Sequence, residues 1–137
     1  MRSAVLVLAL AVPAVARKPA PKPAPQEAKL DAKSPASAAA RLYWAAALKQ
    51  YDRAATYLSR DARERFLDER GRPTAEWTSA LEYLTRNGSL AKVEPLKVTR
   101  EGDKAFVASR LSYKKGEPLE DAMWLIHQDG AWKVMPD

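Results

Sequence analysis

His127 is the single histidine of a 137-residue chain that contains no cysteine, so acid–base, metal or nucleophilic chemistry has few places to reside. As a general base, His127 needs a carboxylate to orient it and a path for substrate. Asp121 lies six residues earlier on what reads as one strand. At about 3.3 Å per residue the two side chains share a face but stand about 20 Å apart. A direct Asp121–His127 dyad is therefore unavailable, and His127 reads as a half-buried strand histidine beside the last hairpin. There is no His-x-His or His-Glu-x-x-His spacing, so no metal is implied. The lack of cysteine removes disulfides, cysteine zinc sites and thiol catalysis. No Gly-x-Ser-x-Gly elbow and no glycine-rich phosphate loop is present. No catalytic residue and no cofactor is assigned. If the chain is an enzyme, a buried carboxylate must act, and Asp121 and Glu82 are the first candidates.

The aromatic residues carry more information. Phe66, Trp77 and Trp132 read as core. Trp44, Tyr83, Trp124 and His127 admit a second reading as the lining of a ligand-binding pocket, because Trp and Tyr set a polar tip beside an apolar wall.

These side chains need elements to position them. Ser34-Pro35 opens a first helix over Ala36–Gln50, with Ser as cap and Pro tolerated at the first helical position. Asp52 can cap a segment Arg53–Ser59. Asp61-Ala62-Arg63-Glu64 resembles a capping box and starts Ala62–Arg70, which Gly71 and Pro73 terminate. Thr74 caps Ala75–Arg86, where Trp77, Leu81 and Leu84 fall on one face. Asn87-Gly88 ends it.

The period then changes from helix to strand. Lys92–Arg100, Lys104–Tyr113, Leu119–Gln128 and Ala131–Met135 read as four strands, with turn signals at Gly102, Gly116 and Asp129-Gly130. Short links imply antiparallel neighbours in a meander. Alternation puts Ala105, Val107, Ser109, Leu111 and Tyr113 on one face of the second strand. On the third, Met123, Leu125 and His127 oppose Ala122, Trp124 and Ile126, so that strand is apolar on both faces and central. Pro95 suits an edge or a bulge. The fold class is α+β: three or four N-terminal helices packed on a curved four-stranded antiparallel sheet.

The helix running Ala45-Ala46-Ala47-Leu48-Lys49-Gln50-Tyr51-Asp52-Arg53-Ala54-Ala55-Thr56-Tyr57-Leu58, a further helix, and a sheet ending Trp124-Leu125-Ile126-His127-Gln128-Asp129-Gly130-Ala131-Trp132-Lys133-Val134 together resemble the nuclear transport factor 2-like superfamily. This is the cystatin-like α+β cone shared with ketosteroid isomerases. The resemblance spans about residues 36–136. It implies a conical pocket between helices and sheet. Some members isomerise or hydrolyse small apolar molecules there; others, including exported bacterial ones, serve as binding or accessory modules. The fold does not imply an activity, and no catalytic position of the isomerases can be matched here residue by residue.

The N-terminus sets the compartment. Arg2, the apolar run Ser3–Val12, Pro13 and Ala14-Val15-Ala16 read as a secretory signal peptide over residues 1–16, cleaved after Ala16. The apolar run is shorter than the about 20 residues that span a bilayer. The alternative is an uncleaved anchor, which the positive charge of Arg17-Lys18 favours. With no cysteine at the cleavage site the chain is not a lipoprotein. Residues 17–35 read as a tether rich in Pro, Ala and Lys, and 36–137 as the folded domain.

The net charge of +6 resides largely in the leader and tether: residues 17–34 hold five basic and two acidic groups, and the chain from Pro35 onward holds 17 and 15. Mixed charges such as Arg60-Asp61-Ala62-Arg63-Glu64-Arg65 are a solvated helix face, not a nucleic-acid footprint. The expectation is an exported, periplasmic or secreted, non-enzymatic binding or accessory module of the bacterial envelope. Its partner is a small apolar ligand or a protein, with no nucleic acid and no stable membrane insertion after cleavage. The alternatives are an enzyme acting on a small apolar substrate in the cone pocket, and a dimerising inhibitor or immunity-type protein that forms a homodimer through the sheet.

Overall fold

Four strands that follow one another through tight turns form a single antiparallel sheet in the order β1-β2-β3-β4. The computed structural model describes residues 25–136; the signal peptide expected over residues 1–16 and residues 17–24 of the expected tether lie outside the described residues. The strands are β1 (Leu90–Glu101), β2 (Lys104–Tyr113), β3 (Leu119–Gln128) and β4 (Ala131–Val134). β3 lies between β2 and β4, as its two apolar faces require. β1 is an edge strand, and its register slips between Pro95 and Lys97, where the missing N–H of proline is least costly. β4 ends at Val134, and the Met135 N–H carries its pairing with β3 one residue further by donating to the in-register Trp124 carbonyl at 2.9 Å.

Among the described residues five helices precede the sheet: α1 (Pro25–Ala28), α2 (Pro35–Ala47), α3 (Tyr51–Ala55), α4 (Arg60–Phe66) and α5 (Ala75–Thr85). Helices lie on one face of the curved sheet, in the α+β arrangement that the switch of period predicts. α2 is the central layer. Its Ser34 cap accepts from the Ser37 N–H, and Ala38, Ala39, Ala40, Ala45 and Ala46 are all buried. Alanine at so many contact positions lets the helix axis come close to the sheet. The core below it is built from Leu58, Val107, Leu111, Leu125 and Trp132.

Three local expectations are corrected. The helix over Arg53–Ser59 is shorter, because Tyr57–Ser59 leaves it to pair with β4. Leu58 forms a parallel bridge with Val134, the Val134 N–H donates to Tyr57 O at 2.8 Å, and the Ser59 N–H donates to Val134 O at 2.7 Å. The next helix starts at Arg60, capped by Ser59 and not by Asp61; Ser59 is buried and its Oγ accepts the Ala62 N–H at 3.2 Å. That helix also ends early, at Phe66. The Asp68 carboxylate accepts the Arg70 and Arg72 N–H groups at 2.8 and 3.0 Å and folds the following residues into a turn that brings Leu67 opposite Pro73.

The expectation of a tether as far as residue 35 is corrected too. From Pro25 onward the chain is folded onto the body: Glu27 is buried, and the Trp132 N–H donates to the Ala32 carbonyl at 3.0 Å. The Pro-Ala pattern hid this, because one acidic residue with distant partners leaves no periodic trace.

Buried Tyr113 and half-buried Tyr51 and Tyr57 give the fold a pH limit. Burial, ahead of any charge, raises the hydroxyls of Tyr51, Tyr57 and Tyr113 above their ordinary value; Glu82 adds to the effect at Tyr51 and Glu27 at Tyr57. The unfolded chain releases these protons near pH 10, while the folded chain retains them. Their contribution is therefore complete below about pH 10 and lost as pH rises through the raised folded values. Lys133, lowered chiefly by burial, acts in the opposite direction. The urea midpoint is expected to fall between pH 9 and 11, with phenolate absorbance rising in step with unfolding. A flat midpoint over that range would contradict the burial.

Candidate functional site

The side chain that organises the site is Tyr43. On α2 it belongs to the fully buried stripe Ala39–Tyr43–Ala46, spaced i, i+4, i+7, and it is the one large residue in that stripe. Alanines on either side bring its ring down to the sheet. Its hydroxyl donates to the Asp121 carboxylate, Oη to Oδ2, at 2.5 Å, the short distance of a charge-assisted O–H···O⁻ bond. Asp121 is an inward position of β3, in phase with Met123 and Leu125, and sits directly opposite buried Ser109 of β2. An acid in a row of apolar inward residues leaves water only where something compensates it. Here that compensation includes a hydroxyl from another layer.

Asp121 lines a cavity of about 200 Å³ between helices and sheet. Its walls are apolar: Leu42 from α2, Phe66 from α4, Trp77, Leu81 and Leu84 from α5, and Met123 from β3. Phe66 and Trp77 stack with centroids 5.6 Å apart and planes within 11°, which fixes one wall. Glu76, exposed, is the second carboxylate at the boundary. A wider groove of about 1000 Å³ runs beside α3, past Lys49, Tyr51, Arg53 and Arg72. We place the candidate site in the smaller cavity, because there a carboxylate is held by a hydroxyl from a wholly buried side chain.

The four residues expected to share a pocket lie apart. Trp44 is buried in the core. Tyr83 is 72% exposed on α5. Trp124 is 38% exposed on the outer face of the sheet, where its ring meets Phe106 edge-on at 5.2 Å. His127 is exposed at the end of β3, with its ring edge-on to Trp132 at 5.3 Å and its backbone N–H donating to Asp103 O at 2.7 Å. The reason is alternation: positions 124 and 127 differ by an odd number, so they point to opposite faces and cannot line one pocket. His127 is also more exposed than the half-buried reading expects. Of the two candidate carboxylates, Asp121 lies in the cavity. Glu82 is half-buried and its charge acts on Tyr51, toward α3. Tyr43 is the residue that sequence reasoning missed; its phase with Ala39 and Ala46 was the available signal.

Among the described residues no cluster of three or more His, Cys, Asp or Glu side chains could hold a metal ion, and no helix is long and apolar enough to cross a membrane.

No family model and no curated protein matches the chain. Among solved structures, it is similar to a SEC-C motif containing protein from Rhodopseudomonas palustris, with a TM-score of 0.54 and 17% identity over 82% of this chain and 84% of that one. A protein described as an NTF2-like transpeptidase from Campylobacter jejuni aligns with a TM-score of 0.37 and 12% identity, over 66% of this chain and 95% of that one; a likeness that low carries no argument. What the comparisons establish is a shared fold with the Rhodopseudomonas protein, an α+β layer of helices on an antiparallel sheet.

Proposed function

We propose that the chain is an exported, non-enzymatic binding module that holds a small, mostly apolar molecule carrying one hydrogen-bond donor in the cavity above Asp121. The observation that carries this reading is the Tyr43–Asp121 bond at the boundary of a cavity whose other lining side chains are apolar save exposed Glu76. Apolar walls with one oriented polar group are the ordinary composition of a ligand pocket. At about 200 Å³ the cavity is below the roughly 300–1,000 Å³ that takes drug-sized molecules, so the occupant is small. The expected leader over residues 1–16 supports a periplasmic or secreted location. Helices followed by a four-stranded meander support membership of the nuclear transport factor 2-like superfamily.

Benzylamine, an apolar ring with an amine donor, is a suitable probe. In a methyl-resolved NMR titration the signals of Leu81, Leu84 and Met123 are expected to shift, while exposed Leu96 and Val98 on β1 stay in place. Shifts confined to β1, or none, would remove the cavity as the site.

One observation favours a second reading. Asp121 is an ionisable carboxylate beside apolar walls, the setting in which a general base operates. An enzyme acting on a small apolar substrate would use Asp121 as base and Tyr43 to position it. A bound molecule recovered chemically unchanged after prolonged incubation supports the binding module; conversion that stops in Asp121→Asn supports the enzyme.

A further inference from the structure

The opposite side of α2 holds a second carboxylate with no part in the cavity. Glu27, on the short turn α1, is 3% exposed. Both of its oxygens are engaged: Oε2 accepts Arg53 Nε at 3.0 Å and the Tyr57 hydroxyl at 2.5 Å, and Oε1 accepts Arg53 Nη2 at 3.1 Å. The Arg41 guanidinium lies over the Tyr57 ring, 4.1 Å from its centroid. Two-point binding by arginine plus a hydroxyl donor is how proteins recognise carboxylates. These three residues come from α2, α3 and the segment after α3 that pairs with β4, all of them parts of the domain body. Glu27 comes from the chain just before it, next to the expected tether.

We propose that Arg53, Tyr57 and Arg41 form a carboxylate-binding site which Glu27 occupies from within the same chain, and that an external carboxylate on a peptide side chain competes with it. Three observations support this. The receptor groups sit on body elements, whereas the occupant is on a four-residue turn. Arg53 also lines the wide groove beside α3, so a ligand has a route to it. The strap from Glu27 onward is held farther along by Leu30 against the core and by the single backbone bond from the Trp132 N–H to Ala32 O, so it can lift without disturbing β3. The groove's remaining charges are Lys49 and Arg72 against Asp52, a net positive approach for an anion.

The test uses the full chain and its Glu27→Gln variant, which keeps size and shape while removing the charge. Two probes are compared: N-acetylglutamate N-methylamide and the uncharged glutamine analogue. Hydrogen exchange at the Trp132 amide reports the strap. It is expected to quicken at least tenfold in the variant, while the Val134 amide, bonded to Tyr57 O, keeps its rate. The Arg53 Nε–H signal then titrates saturably with the glutamate probe in the variant, at least tenfold more weakly in the unaltered protein, and with the glutamine analogue in neither. Unchanged Trp132 exchange would overturn the proposal, because the strap then does not open. Uniformly faster exchange would overturn it too, because Glu27 is then part of the core. So would a released strap with no response to the glutamate probe, or equal affinity in both proteins.

Discussion

Trp132→Ala is expected to lower the unfolding free energy by about 3–5 kcal/mol, the range for removing a buried tryptophan and leaving its cavity. Trp132 is 3% exposed. It fills the end of the sheet where β3 and β4 meet, with the His127 ring edge-on to it and the Arg100 guanidinium 5.0 Å above its centroid. A domain of this size has about 5–15 kcal/mol in total, so the loss takes a large share of it. Urea denaturation gives the value, and an unchanged slope with denaturant shows that the native state kept its compactness. The control is Trp124→Ala on the outer face, where the ring is partly in water and packs against Phe106; the expected cost is below about 1 kcal/mol. If the two substitutions cost the same, and the cost at Trp124 grows with protein concentration, the outer face is covered by a second copy.

Gly88→Ala is the second large effect. α5 ends with Arg86 in the left-handed region, and Asn87 and Gly88 follow with φ of 56° and 88°. A Cβ at position 88 would lie 2.8 Å from the Ala47 carbonyl oxygen, and that atom is backbone at the end of α2, unable to swing aside. The cost combines the left-handed penalty, about 1–2 kcal/mol, with overpacking of about 1–3 kcal/mol. Gly102→Ala separates the two contributions. Its φ is 62° and nothing lies within 4 Å of the added carbon, so only the backbone penalty remains. The difference between the two midpoints measures how tightly the α5–β1 connection is pressed against α2. Equal losses would mean that the close approach is absent.

The strands were legible because two signals coincide in them. In β2, Ala105, Val107, Ser109, Leu111 and Tyr113 alternate with residues of the other face, and glycines stand where the chain reverses. The boundaries therefore fall within two residues of the reading. Helix ends were less legible where side chains compete for one backbone group. Ser59 and Asp61 are both good caps, and Ser59 prevails because the pairing of Leu58 with Val134 sets the chain extended just before it. No local pattern announces that pairing, since its partners are 76 residues apart. The same limit hid the strap. Glu27 meets Arg53 and Tyr57 only once α3 is folded.

The site was half visible. Asp121 could be singled out as an acid in an inward phase, but Tyr43 stood among alanines and gave no chemical signal of its own. The four-residue aromatic pocket failed for a reason already contained in strand alternation. Trp124 and His127 cannot face the same space, and the aromatic residues that do line the cavity, Phe66 and Trp77, are also the ones that read as core.

On the proposed function, Asp121, oriented by Tyr43, recognises a donor on a small apolar molecule. The most direct measurement is the dissociation constant of benzylamine and of toluene for the unaltered protein and for Asp121→Asn. The ring alone should bind both proteins equally. The amine should strengthen binding in the unaltered protein and lose about tenfold or more in the variant, which corresponds to about 1.4 kcal/mol or more, at the lower edge of the about 1.5–3 kcal/mol of a hydrogen bond to a charged group. Equal affinity of benzylamine for the two proteins would contradict the claim.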